Sequence, residues 1–253
     1  MPDLKPASHD RDTSQLVSHE AEHRKRFHRW QRFHIALFIG SFLCSLAGIL
    51  AFGLLLKNFD QFCPLFADPR VRWDSDEQRY VFDVNNSTSG SLETCRFCLF
   101  TTVASFIYAF LWVWIFCSFF GTVTAIPKER ISAPWKVVPP AVLLTCLFSS
   151  LMLVCAILVT VGQARFCASL ERQMRLRCSD AQGKEWRPGK VKMSNFYTLF
   201  SRSEFAMWLA AAFWFLNSIL LCGRCVVLPK ASATAVATSD AGSPAKHRHS
   251  HTT

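Results

Sequence analysis

Apolar and polar residues alternate along this chain in long blocks. Residues 1–33 are polar and rich in charge and His, and Ile35–Leu56 follows as twenty-two residues without a charge. Lys57–Thr94 is polar again, and Phe97–Ile126 then runs for thirty residues without a charge. A helix rising about 1.5 Å per residue needs about 20 apolar residues to cross the hydrocarbon core of a bilayer. Two further blocks meet that length, so the pattern predicts four membrane helices, at about 35–56, 97–126, 137–164 and 205–228. The fold class expected is an all-α membrane protein with two long loops, 57–96 and 165–204, on one side of the bilayer. A short loop, Pro127-Lys128-Glu129-Arg130 to Trp135-Lys136, lies on the other side with both termini.

Orientation follows from charge. Arg24-Lys25-Arg26, Arg29 and Arg32 are interleaved with Phe27, Trp30 and Phe33, forming a basic-aromatic collar before the first span. Such a collar marks the cytosolic side and anchors the helix at the interface; a sharper reading is attraction to anionic lipids. No apolar h-region precedes it, so residues 1–33 do not read as a cleavable signal peptide. The short loop carries three bases against one acid and obeys the same rule. The loop 165–204 breaks it, with nine bases against three acids over residues 165–203. It is kept lumenal because an even number of spans connects it to the collar. The first loop balances to −3 over residues 57–94 and the second to +6, so the two are expected to attract each other, or the second to meet an acidic partner. Arg172, Arg175 and Arg177 are the basic groups expected to act there.

Within the first span, Gly40, Cys44 and Gly48 recur every four residues with Ser41 and Ser45 beside them, a stripe that lets another helix approach closely. Internal packing is the plainer reading and a dimer interface the other. Pro139-Pro140 fits a first helical turn, where the missing N–H is unpaired in any case. Ser201-Arg202-Ser203-Glu204 reads as a capping box at the start of the fourth span, which gives Glu204 a structural role. From Pro229 the tail 229–253 is small and polar and is expected to be disordered; His247, His249 and His251 read as solvated rather than as a metal site.

Composition supports a chain dissolved in lipid: 51% hydrophobic, 23 Phe, 8 Trp and only 18% charged. The net charge of +10 flanks apolar spans instead of forming an aromatic-basic surface, so nucleic acid is not an expected partner. The eleven cysteines divide by compartment. Cys63 with Cys95 would close the first loop and Cys167 with Cys178 a tight bend in the second, both on an oxidising side. Cys98 competes with Cys95 for Cys63, a choice that spacing leaves open. Cys222 and Cys225 stand at the cytosolic end of the fourth span as palmitoylation candidates, with packed thiols as the alternative. Asn85-Asn86-Ser87-Thr88 contains two overlapping glycosylation acceptors, at Asn85 and Asn86.

The ordered series Cys63-Pro64-Leu65-Phe66, Gly90-Ser91-Leu92, Cys95-Arg96-Phe97, Cys178-Ser179-Asp180-Ala181-Gln182, Trp186, Phe196-Tyr197, Glu204 and Trp208 resembles the transmembrane protein 179 family, nearer its 179B branch. The resemblance covers about residues 30–228. It implies a four-span protein with cytosolic termini and no established catalytic activity. The long charged N-terminus and Cys98 depart from the family pattern. Claudin-like proteins fit less well, because no Trp-x-x-Cys follows in the first loop, where Trp73 stands alone. Tetraspanins fit less well too, lacking their Cys-Cys-Gly here.

The spans as bounded hold no Asp, Glu, His, Lys or Arg before Arg224, and their polar groups are taken as hydroxyls, thiols, Tyr108 and Asn217. No catalytic, metal or cofactor-binding residue is assigned, because no titratable groups converge. The function expected is that of a non-catalytic accessory or scaffold protein of the cell surface or secretory pathway, whose partners are the bilayer and unidentified membrane or lumenal proteins. Homo-oligomers stay open. The alternative is an oligomeric channel or transporter subunit, lined by Asn217 with Ser149-Ser150.

Overall fold

The computed structural model describes residues 9–60, 62–122 and 138–240, with side chains described over 29–60, 62–118 and 141–223 and at Glu22. Its order is α1 (His9–Asn58), β1 (Val71–Asp74), β2 (Arg79–Phe82), α2 (Leu92–Thr122), α3 (Val138–Met174), α4 (Cys178–Ala181) and α5 (Phe196–Asp240). Four helices hold stretches long and apolar enough to cross a membrane: Arg29–Asn58, Leu92–Ser118, Ala141–Met174 and Phe196–Gly223. The chain is a four-helix membrane protein with two disulfide-braced loops at one end. The short loop 127–136 and the histidines of the tail lie outside the described residues.

α5 is the central helix, packing extensively on α1 and α3, while α2 leans mainly on α1. Lipid offers no hydrophobic reward for bringing helices together, so close packing and hydrogen bonds between helices must do it. Trp214 of α5 lies fully buried among Phe38 of α1, Tyr108 of α2 and Phe148 of α3, with ring centroids 5.5–5.7 Å away. Its indole Nε1 donates to Ser105 Oγ of α2 at 2.8 Å, and Ser105 Oγ meets Ser45 Oγ of α1 at 2.9 Å. One indole thereby ties three helices by hydrogen bonds and reaches the fourth by stacking. The small-residue stripe is internal: a side chain at Gly40 would strike the Phe213 ring, and one at Gly48 would crowd Thr102. Large apolar side chains such as Phe100, Trp114 and Leu143 point outward, as a lipid-facing surface requires.

The helices differ from their expected bounds for a physical reason. α3 continues past Ala164 to Met174 and α5 begins at Phe196 instead of 205, each adding about 10 residues, or ~15 Å. A span cut at its first charge misses this, because Arg165 and Arg172 are exposed while Phe166 and Leu170 are buried at four-residue spacing. Phe196 and Phe200 repeat the pattern on α5. Pro139 and Pro140 do lie in the first turn of α3. At the other end α5 stays helical to Asp240, where a disordered tail was expected from residue 229; the Ala-rich run after Pro229 favours helix. α1 is likewise helical through the collar from His9.

Between the extended helices sits a small head. β1 and β2 pair antiparallel, with Trp73 opposite Tyr80. The second loop joins this hairpin beside β2: Tyr80 N donates to Glu185 O at 3.0 Å and Arg187 N to Tyr80 O at 2.8 Å. Gln173 of α3 accepts from Val71 N at 2.9 Å and donates to Pro69 O, while Ser169 donates to Asp68. Beneath them the backbone around Leu65 is pressed between Gly90 and Gly162.

Two outcomes follow for stability. Trp214→Ala should cost about 3–5 kcal/mol through the cavity it leaves, and Ser105→Ala about 0.6–1.7 kcal/mol. Unfolding of the purified protein in detergent or bicelles would measure both, and equal costs would contradict the packing argument. At Gly90 an added Cβ would collide with the Leu65 carbonyl oxygen. Gly90→Ala is therefore expected to reduce the Cys63–Cys95 bonded fraction on non-reducing gels.

Candidate functional site

The cysteines of the head form two bridges. Cys63 is bonded to Cys95 across 32 residues and Cys167 to Cys178 across 11. Loops of these lengths correspond to about 3–4 and about 2–3 kcal/mol of lost unfolded-state entropy. Cys98, the competitor for Cys63, is one turn deeper in α2 as a buried thiol, in the same core as the buried Cys155 of α3.

Both sequon asparagines are exposed, in the turn after β2. Asp83 shapes that turn: its carboxylate accepts from Asn86 Nδ2 at 2.7 Å and from Asn86 N at 3.3 Å. Ser87 Oγ donates to Asp83 O at 2.6 Å and accepts from Arg70 N at 2.8 Å. The Asn86 side-chain bond, helped by the Asn86 amide and by Arg72, holds the Asp83 carboxyl below its ordinary value. The carboxylate bonds of the turn are thus fully present above the ordinary carboxylate pKa and lost only as pH falls through that lowered value.

The loops do attract each other, though not through the arginines expected. Arg187 pairs with Asp74 and Glu77, both at 3.3 Å, and Arg79 with Glu185 at 3.6 Å. Arg172, Arg175 and Arg177 enter no ion pair among the described residues. Exposed pairs of this kind contribute little each, so the backbone ladder at Tyr80 is the stronger link.

Inside the membrane region the expected pore groups do not converge. Asn217 is fully buried, its Oδ1 3.2 Å from Nδ1 of the buried His34. Ser150 is exposed on α3, bonded to its own helix at Cys146 O. His34, one residue outside the first span expected from hydropathy, lies inside the stretch Arg29–Asn58. At the far end of α5, Cys222 is exposed, and the Cys225 side chain lies outside the described ones.

Glu204 requires the clearest correction. α5 begins eight residues before it, so Ser201-Arg202-Ser203-Glu204 caps nothing, and Ser203 Oγ donates back to Phe200 O at 2.8 Å. Glu204 Oε1 instead accepts from Thr160 Oγ1 of α3 at 2.7 Å, and Thr160 Oγ1 accepts from Trp208 Nε1 at 3.0 Å. A carboxylate therefore faces α3 within the apolar stretch Phe196–Gly223. It lines a cleft of about 600 Å³ between α3, α4 and α5, with Gln163, Glu171, Arg177 and Tyr197. Glu171 Oε1 accepts from Cys178 N at 2.9 Å, and the Cys167–Cys178 bridge fixes the rim. Gln163 is only 8% exposed and its buried Oε1 has no hydrogen-bond partner among the described residues. Gln163 stands inside the third expected span as a polar group additional to the hydroxyls, thiols, Tyr108 and Asn217. The face Thr160, Gln163, Cys167, Glu171 at three- and four-residue steps is the signal that reveals it.

A family model described as the transmembrane protein 179/179B claudin domain matches residues 30–246. Transmembrane protein 179B of Danio rerio is 25% identical over 191 residues, covering 74% of this chain and 80% of that protein. No solved structure matches. The family description includes the word claudin, so the missing Trp-x-x-Cys does not set the chain apart from a claudin-type domain; here the first-loop bridge runs from the end of α1 to the start of α2. With its four spans, its two bridged loops and this match over most of its length, the chain belongs to the transmembrane protein 179/179B family of multi-pass membrane proteins.

Proposed function

We propose that this protein is a non-catalytic accessory or scaffold subunit of the cell surface or a secretory-pathway membrane, with cytosolic termini and its head in the lumen or outside the cell. The observation that carries the reading is the head itself. Two bridges and a backbone ladder between loops hold rigid a hairpin whose Trp73 is 52% exposed, its ring 4.7 Å from that of Tyr80. Exposed arginines, Arg70, Arg72 and Arg79, flank it. A rigid aromatic surrounded by charge is the composition of a binding hot spot. The exposed sequon turn and the positive collar support the orientation, and Cys222 and Cys225 fit acylation at the cytosolic rim. A pore is less well supported, since Asn217 is enclosed by α1 while Ser150 faces outward.

Three experiments test this reading. Glycosidase treatment should shift the mobility of the wild type and leave Asn85→Gln/Asn86→Gln unshifted. If instead a cysteine introduced at the exposed Ser75 (Ser75→Cys) is unlabelled by an impermeant thiol reagent in intact cells but labelled once the plasma membrane alone is permeabilised, the orientation is inverted. For the head, Trp73→Ala should lower cross-linking to a membrane partner by about tenfold, in line with a hot-spot aromatic. Both disulfides should persist in that variant. Unchanged cross-linking with intact disulfides would remove Trp73 from the partner surface.

A further inference from the structure

The α3–α5 cleft has the chemistry of a receptor for one kind of group. Its deep end is Glu204, eight residues or about 12 Å below the start of α5. Its rim is Glu171 and Arg177. Thr160 satisfies only Glu204 Oε1, and Cys178 N only Glu171 Oε1, so one oxygen of each carboxylate has no donor among the described residues. Gln163 adds a third acceptor, buried and without a partner. Two carboxylates against one guanidinium leave the lining at −1, which repels a lone anion. Ionisable groups within membrane spans are costly and mark functional sites by default, and a buried acceptor without a donor is costly as well. A ligand bringing several N–H donors and a positive charge removes both costs. An ammonium with three N–H groups does so; a quaternary ammonium, having none, leaves Gln163 unsatisfied.

The surroundings place this group at the end of a lipid. Next to Glu204, Phe205 is 66% exposed and Trp208 41% exposed, side chains that the bilayer covers, and Val161 is exposed beside Thr160. Arg177 at the rim meets no carboxylate within ion-pair distance among the described residues and is available to a phosphate. We propose that the cleft between α3, α4 and α5 binds the headgroup of a phosphoethanolamine lipid, its primary ammonium held by Glu204, Glu171 and Gln163 and its phosphate by Arg177. The site does not depend on which face of the membrane the head occupies.

The test uses the full chain in detergent, delipidated and then offered phosphatidylethanolamine, phosphatidylcholine or phosphatidylglycerol, with retained lipid counted by native mass spectrometry. Phosphatidylethanolamine should be retained about tenfold over the others, as expected for a charge-assisted hydrogen-bond set. Glu204→Gln and Gln163→Leu should each abolish that preference, with Cys167–Cys178 still bonded on non-reducing gels. Arg177→Gln, an exposed change that leaves the packing intact, should weaken retention of all phospholipids. Equal retention of phosphatidylcholine, or preference for phosphatidylglycerol, would overturn the primary-ammonium assignment. Displacement of the lipid by free phosphoethanolamine at millimolar concentration would overturn the lipid as the source. If Glu204→Gln and Gln163→Leu both keep the preference, the cleft is not the site.

Discussion

The hydrogen bond from Trp214 to Ser105 is the interaction on which the bundle turns. In water a buried indole would be driven inward by its area; in a bilayer its rings would be as content against lipid tails. What lipid cannot supply is an acceptor for Nε1, and Ser105 supplies it. Ser105 is in turn held by Ser45, so the indole is aimed at a point fixed by two other helices. The aromatic rings of Phe38, Tyr108 and Phe148 then fill the space that this aim leaves around it. Gly40 and Gly48 matter for the same reason, since α1 can reach the network only where its own side chains are absent.

The head inherits its position from that bundle. α3 and α5 leave the apolar zone as helices, and the buried pair Phe166 and Leu170 carries the packing upward into the loops. The loops are then tied on three sides: Leu65 against Gly162, Gln173 into β1, and Tyr80 into the second loop. Disulfides lock an arrangement that hydrogen bonds and packing have already specified. That explains why Cys95 and not Cys98 is bonded to Cys63. Cys95 stands in the first turn of α2, whereas Cys98 is one turn further into the bundle, among the groups packed against Cys155.

The sequence announces the membrane helices because hydropathy is summed over twenty positions and single errors do not matter. It announces their ends poorly. Arg165 looked like a boundary, yet one charged residue on the outer face of an amphipathic extension breaks nothing; its guanidinium lies over the Phe66 ring at 5.6 Å. Ser-x-x-Glu is a local signal that suggests a cap at Glu204, whereas the buried Phe196–Phe200 spacing, not hydropathy, marks where α5 starts. The hairpin of the first loop was not legible at all. VRWD and RYVF are four residues each, and their pairing is stabilised by Gln173 and Glu185, more than a hundred residues away in the chain. The cleft is illegible in the sequence for a related reason: its groups come from three elements, and only Thr160, Gln163 and Ala164 lie within an expected span.

One stretch of α3 serves both functional readings at once. Its face through Thr160, Gln163, Cys167 and Glu171 lines the cleft, while Ser169 and Gln173 hold the first loop and Phe166 and Leu170 fill the core between. Close-packed protein interiors transmit displacement instead of absorbing it. A headgroup held by Glu204 and Arg177 would therefore brace the same segment that positions Trp73, through the Cys167–Cys178 bridge and the Gln173 amide. A scaffold needs a presenting surface whose geometry is fixed relative to the bilayer. A lipid seated in the base of the head, as proposed above, would supply that reference directly, and the Glu204 carboxylate would then serve to hold the head rather than to stabilise the helix pair alone.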